Sequence, residues 1–447
     1  MRFLPHTADD IRAMLAAVGV GDVGDLFADI PEALRATAAM DLAPGISELE
    51  VQARFQALAA QNTAAQHACF MGAGAYPHFV PAVVDQIIQR AEFYSAYTPY
   101  QPEVSQGTLQ AIFEFQSLVA LLLGAEVANA SMYDGASATA EAVLMALRIH
   151  PKRRRIILSR ALHPQYREVV RTYTTGAGGG AGIELVEAPL TADGRTDAAW
   201  VSAALDEQTA AVVVGYPNVF GVIEDLGGFA ALAHEAGALL VSATTEAVAL
   251  GLLKPPGAYG ADIVVAEGQS LGIPMSYGGP GVGLFATRNE YVRTMPGRLV
   301  GEAADGAGRR GYVLTLATRE QHIRREKATS NICTNHGLMA LAFTVHVSTL
   351  GKAGLRKLAI ANTAAAHGVA ERLTRAGWTL QFAAPFFNEM VMTRAGADAT
   401  WETARRAGVL AGVPLRGWYP ELSDALLLCV TEMHDDRAVD RLVEALA

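Results

Sequence analysis

The chain has 447 residues, 51% of them apolar and 18% charged, with a formal net charge of −10. That is enough chain to bury a large core in two or three lobes. The acidic balance and the single short basic run, Lys152 to Arg155, argue against a nucleic-acid binder, and the run reads as a solvated loop. The three cysteines, Cys69, Cys333 and Cys429, are odd in number and widely spaced. They predict reduced thiols in a cytoplasmic protein, with no zinc-ligand spacing and no metal site. Neither a signal core nor an apolar run of membrane-spanning length is expected.

Residues 1–65 predict a helical arm. Thr7 caps a short helix ending at Gly19, and Ser47 with Glu50 forms a capping box. Leu49, Phe55 and Leu58 then fall on one apolar face. The stretch from Cys69 to Gln106 is aromatic and loop-like, with Tyr94, Tyr97 and Tyr100 close together and Pro99 and Pro102 stiffening the backbone. Such a loop suits a subunit contact, a pocket wall or plain packing on the next helix, Gly107 to Leu123. Asp134 and Gly135 make a turn into a helix from Ala136 to Arg148. The small residues Gly135, Ala136 and Ser137 leave its first amides open, a weak but usable anion seat.

From residue 155 strand-like and helix-like runs alternate. The strands are Arg155–Ser159, Gly182–Glu187, Ala211–Gly215, Ala238–Ala243 and Ala261–Ala266. The helices are Pro164–Tyr173, Asp197–Glu207 and Leu226–Glu235. This pattern predicts an α/β domain over residues 66–335 with a mostly parallel sheet covered on both faces. Ligands of such sheets sit beyond the carboxyl ends of the strands, which places His163, the Tyr216–Asn218 turn and the glycine-rich stretch Ala261–Gly283 near one edge. That stretch holds six glycines and two prolines and is expected to run strand, tight turn, strand (Val282–Ala286). Thr318 with Gln321 predicts a further capped helix made basic by Arg319, Arg324, Arg325 and Lys327, either a solvated face or a contact for an acidic group. Residues 336–447 read as a small α+β domain of two long helices, short strands near Thr379–Phe382, Met390–Thr393 and Ala425–Thr431, and a last helix from Asp435.

Two runs, YTPYQPEVSQGTLQAIFEFQSLVALLLGAEVANASMYDGASATAEA and TREQHIRREKATSNICTN, resemble the P-protein of the glycine cleavage system, and specifically its alpha half (subunit 1). The resemblance covers most of the chain. It implies an aminotransferase-like fold of the pyridoxal phosphate (PLP) fold type I. It also implies decarboxylation of glycine and transfer of the aminomethyl group to the lipoyl arm of the H-protein. Expected partners are a glycine dehydrogenase beta subunit carrying the PLP, in an α2β2 assembly, and the H-protein.

The residues agree that the cofactor lies elsewhere. None of the five lysines falls between Asp262 and Gly283. Gln269 stands near the position of the Schiff-base lysine, and an amide cannot form that bond. The strand that should end in an aspartate facing the pyridine nitrogen reads LLVSATTEA, with Ser242 and Ala243 at that place and Glu246 beyond the turn. Gly135, Ala136, Ser137, His163 and Asn218 then line a vestigial cofactor pocket. Tyr97, Thr98 and Tyr100, with the Gly278–Gly283 turn, are expected to reach the partner's active site. Two alternatives stay open: a self-sufficient PLP enzyme using Lys254 or Lys327, and a non-catalytic scaffold or regulatory chain.

Overall fold

A computed structural model of the protein describes residues 5–37, 41–94, 97–175 and 182–447. The chain divides into two compact units, Met1–Thr63 and Ala64–Ala447. In the first, the helices Ala8–Val18 and Glu48–Ala59 begin where the capping residues predict, with reciprocal bonds between Thr7 and Asp10 and between Ser47 and Glu50. Gly19 closes the first helix in a left-handed conformation. Leu49, Phe55 and Leu58 are exposed, and neither helix buries a residue.

The second unit is built on a seven-stranded sheet: β1 (Val127–Ala128), β2 (Arg155–Ser159), β3 (Glu184–Ala188), β4 (Thr209–Gly215), β5 (Leu239–Thr244), β6 (Ile263–Glu267) and β7 (Gly283–Thr287). The order across the sheet is β1-β7-β6-β5-β4-β2-β3. Neighbours from β3 to β6 are parallel, while β7 is antiparallel to both β6 and β1. The glycine-rich stretch is therefore the reversal between β6 and β7, registered by Glu267 opposite Gly283.

Side chains of a strand alternate between faces, and the two faces bury different sets. Val212, Val214, Leu240 and Val264 pack with Phe115, Phe229 and Phe343. Ile156, Leu158, Val213, Val241 and Val265 pack with Ala142, Met145 and Val170. Helices Gln106–Leu123, Leu226–Glu235 and Gly337–Arg375 thus cover one face, and Gly135–Ile149 and Pro164–Thr175 the other. This is the predicted architecture, with strand ends shifted by one or two residues.

The two long helices expected after His336 form Gly337–Arg375, broken at Gly351, whose φ of 58° and ψ of 179° no helix accommodates. The helix as a whole is long and apolar enough to cross a membrane by length and composition, yet its first half belongs to the core: Phe343 meets Phe115 edge-on at 5.4 Å. Beyond it lies a four-stranded antiparallel sheet, and a two-stranded hairpin precedes the helix. The hairpin is β8 (Leu299–Ala304) and β9 (Arg310–Thr315), and the small sheet orders β10 (Thr379–Leu380), β11 (Glu389–Thr393), β13 (Ala425–Cys429) and β12 (Val413–Pro414). This lobe is not confined to the C-terminal sequence, because Ala68–Cys69 pairs with Val409–Leu410.

Two local expectations are corrected. The basic helix from Thr318 is a series of short turns, Ala317–Arg319, Gln321–Arg324 and Arg325–Lys327, and Glu320 precedes the second without a side-chain cap. A one-turn helix there is held by tertiary contacts, since so short a run cannot repay nucleation. The Lys152–Arg155 run is not simply solvated: Arg153 donates to the carbonyls of Thr209 and Ala236, and Arg155 pairs with Glu184 and Asp206.

Candidate active site and its closed cofactor cavity

The carboxyl ends of β2, β4, β5 and β6 deliver His163, Asn218, Thr245, Glu246, Glu267 and Gln269 to one edge, as predicted for a ligand site. What they meet is protein. Gln269 is buried, and its amide is fully used: Oε1 accepts from Tyr76 N (3.0 Å), while Nε2 donates to the carbonyls of Tyr76 (3.2 Å) and Ile273 (2.7 Å). This clamp holds the segment Gly72–Tyr76 across the strand ends. The same segment is tied to His163, whose Nε2 donates to Ala73 O at 2.8 Å while Nδ1 accepts from Gln165 N. Burial lowers the His163 pKa, so the imidazole is neutral there.

Glu389, reaching over from β11, seals the segment from its other side. It accepts from Ala73 N (2.7 Å), and the Tyr76 phenol donates to it (3.0 Å) and lies 3.2 Å from Thr245 Oγ1. A Cβ on Gly72 would lie 2.4 Å from the Glu389 carboxylate, so only glycine allows this approach. Burial pushes the Glu389 carboxyl up to about 8.

Behind it, His78 bridges two carboxylates, with Nε2 2.9 Å from Glu246 and Nδ1 2.9 Å from Glu432. Burial opposes the imidazolium, but the two carboxylates outweigh it and raise His78 to about 10. Glu246 also caps the turn Ala247–Gly251 through Val248 N. It is therefore committed to His78 and to its own backbone, beyond the turn as the sequence implies.

The anion seat is likewise occupied. Ser137 N is satisfied by the N-cap Asp134, and Gly135 N donates to Glu267 Oε2 at 2.8 Å. The other oxygen of Glu267 accepts from Gln269 N (2.9 Å) and Val282 N (3.0 Å). Burial raises the Glu267 carboxyl to about 7 against the pull of these amides. Asn218 is turned into its own loop: Nδ2 donates to Gly194 O and Glu224, and Oδ1 accepts from Phe220 N and Val222 N. Ser242 is buried with its hydroxyl unpartnered among the described residues.

A second cluster is open to solvent. Tyr97 is 87% exposed and Tyr100 53%, whereas Thr98 between them is buried. The Tyr100 phenol oxygen accepts from Arg298 Nη2 at 2.5 Å, the guanidinium carbon lies 5.2 Å from the ring centre, and His322 stands edge-on at 5.6 Å. Arg298 is 2% exposed. Its Nε lies 3.0 Å from Glu320 but off the hydrogen-bonding direction. Cys333 is exposed beside it; burial would raise the thiol, but Arg298 and Gln321 bring it below its ordinary value. His336 Nδ1 binds Gly281 O at 2.7 Å, which ties the Gly278–Gly283 turn to this segment. The sequence pointed to the tyrosines but missed Arg298 and Glu320, because the pairing spans 198 residues and no local spacing signals it. Of the two lysines weighed as alternatives, Lys254 lies 4.2 Å from the Tyr259 ring and Lys327 sits in an exposed turn.

Comparison with known proteins gives this arrangement its context. The family model "Glycine cleavage system P-protein" matches residues 1–446. The chain is 54% identical over 437 residues to the probable glycine dehydrogenase (decarboxylating) subunit 1 of Anaeromyxobacter dehalogenans (strain 2CP-C), covering 97% of each chain. It is 52% identical to the protein of that name from Thermomicrobium roseum, over 100% of this chain and 99% of that one. Among solved structures, a glycine decarboxylase (P-protein) of the glycine cleavage system in inhibitor-bound form superposes with a TM-score of 0.91 at 44% identity, covering 100% of this chain and 99% of that one. An Escherichia coli cysteine desulfurase, at 18% identity and a TM-score of 0.62 over 85% of this chain and 94% of that one, shares the fold alone.

The fold is PLP fold type I, but the residues at its cofactor position do not fit the cofactor. Just past β6 stands the amide Gln269 and no lysine lies between Asp262 and Gly283, β5 carries Ser242 and Ala243 and no acid, and Glu267 fills the helix start. On the match along its full length, the chain belongs to the glycine cleavage system P-protein family.

Proposed function

We propose that this chain is the alpha subunit (subunit 1) of a glycine dehydrogenase (decarboxylating), active only together with a beta subunit that carries PLP. On this reading the pair decarboxylates glycine and passes the aminomethyl group to the lipoyl arm of the H-protein, within a cytoplasmic α2β2 assembly. The observation that carries it is a division within one chain: the cofactor cavity is packed shut around Gln269 and Tyr76, while the segment holding Tyr97, Thr98 and Tyr100 presents two phenols outward.

These side chains act by orientation rather than by making bonds. Arg298 donates to the Tyr100 oxygen, which leaves the phenol proton free to point to an acceptor outside the chain. A carboxylate of a bound amino acid, or a polar atom of the partner's loop, meets that need. The buried Thr98 hydroxyl, without a partner among the described residues, offers a second such contact.

The test is glycine–bicarbonate exchange with beta subunit and H-protein, comparing the native alpha chain with Tyr97→Phe and Tyr100→Phe. Full dependence on the alpha chain is expected, with a loss of roughly tenfold or more on removing the Tyr100 hydroxyl, the size of one hydrogen bond to a charged group. A beta chain fully active alone would favour the scaffold reading. Unchanged exchange in both variants would remove the tyrosines from the mechanism.

A further inference from the structure

The amide groups at the start of a helix are a natural seat for a phosphoryl group. At Gly135–Ile149 that seat is filled from within the chain, by the carboxylate of the last residue of β6. Glu267 is 6% exposed and binds the helix start (Gly135 N), the residue at the lysine position (Gln269 N) and the glycine-rich turn (Val282 N) with distances of 2.8–3.0 Å. No slack remains around it. A Cβ on Gly135 would stand 2.2 Å from the Tyr166 hydroxyl and 3.0 Å from Glu267 Cβ, and one on Gly281 would stand 3.0 Å from both Glu267 oxygens. Gly281 thus leaves the room that this carboxylate takes, and Gly135 keeps the helix start clear of Tyr166.

We propose that Glu267 is a built-in surrogate for a cofactor phosphate: its carboxylate takes the anion seat at the helix start, and with the Gln269–Tyr76 clamp it turns a cofactor cavity into solid core. The buried donors that a phosphate would satisfy are satisfied instead by protein. The fold keeps its shape with no ligand, and the native chain has no phosphate site there. It follows that deleting the carboxylate creates one. The inference goes beyond the proposed function, because it concerns what this chain's own cavity accepts and not where glycine is turned over.

The experiment uses the full chain, native and Glu267→Ala, melted in inorganic phosphate and in chloride of matched ionic strength. The native Tm is expected to be the same in both. The alanine variant should melt lower in chloride and recover saturably in phosphate, by roughly 2 °C at about tenfold above its Kd. A native chain that phosphate stabilises as much as the variant, or a folded variant indifferent to phosphate, overturns the proposal. If the variant does not fold, hydrogen exchange of the native chain decides. The amides of Gly135, Gln269 and Val282 should exchange equally slowly in phosphate and chloride, and slowing by phosphate would show an open seat. None of these readouts involves glycine decarboxylation, so failure here leaves the proposed function standing and is distinguishable from its failure.

Discussion

Replacing His78 by alanine is expected to destabilise the second unit more than any exposed substitution, and in a way that depends on pH. The imidazole lies 2.9 Å from Glu246 and 2.9 Å from Glu432, and the side chains of His78 and Glu246 are each 2% exposed. Taking away the cation leaves Glu246 buried with only Val248 N and a long contact from Asn388. Breaking a buried ion pair from one side costs about 3–5 kcal/mol. The linkage points the same way. A folded value near 10 against 6.5 for the free side chain corresponds to about 5 kcal/mol. Because His78 is raised, its contribution is fully present below pH 6.5 and is lost as the pH climbs through 10. The same ion pair holds Glu432 down to about 2, which is the one interaction seen from its other side and is not counted again. Thermal or urea unfolding of native and His78→Ala chains at pH 6.5, 8 and 10 should show a gap that narrows toward pH 10. A gap below about 1 kcal/mol at pH 6.5, the size of an exposed pair, or one that does not change with pH, would refute the reasoning.

Three further outcomes are expected. Gln269→Lys should not restore cofactor binding: it should lower Tm, since it buries an ammonium facing the Tyr76 N–H and removes the acceptor that N–H uses, and it should show no PLP band that borohydride fixes. Glu389→Gln should be close to neutral in stability at pH 4 and increasingly more stable than the native chain from pH 6 to pH 9. The native carboxyl titrates near 8 when folded, so its favourable contribution is complete below the unfolded value of 4.5 and lost as pH rises through 8. Asn218→Ala should cost roughly 2–3 kcal/mol by urea unfolding, because it strips partners from Gly194 O, Glu224, Phe220 N and Val222 N in a buried turn.

Gln269 shows how much of the site was legible in the sequence. The absence of a lysine after β6 needs only the strand pattern to be noticed, and it excludes a Schiff base whatever the packing. That the amide is instead a clamp on Tyr76 was not legible, because Tyr76 and Gln269 are 193 residues apart and an aromatic–glycine loop carries no signal of its destination. The same holds for Glu267. It stands in plain view beside Gln269, yet its role is visible only once Gly135 comes within 2.8 Å. For Asn218 the position at a strand end suggested a ring contact, while the folded loop turned the amide inward to satisfy its own backbone. A buried turn must first pair its own polar groups.

The sequence by itself determined the layered α/β plan, the helix caps at Thr7 and Ser47, the reversal between β6 and β7, and the missing amine. These follow from periodicity, from local capping chemistry and from the presence or absence of one functional group, all properties of neighbouring residues. Tertiary structure alone decided what fills the cofactor's place, which charges His78 joins, and how Arg298 meets Tyr100. Those contacts join segments far apart in the chain, and they are set by the shape left between packed layers, which no local pattern encodes.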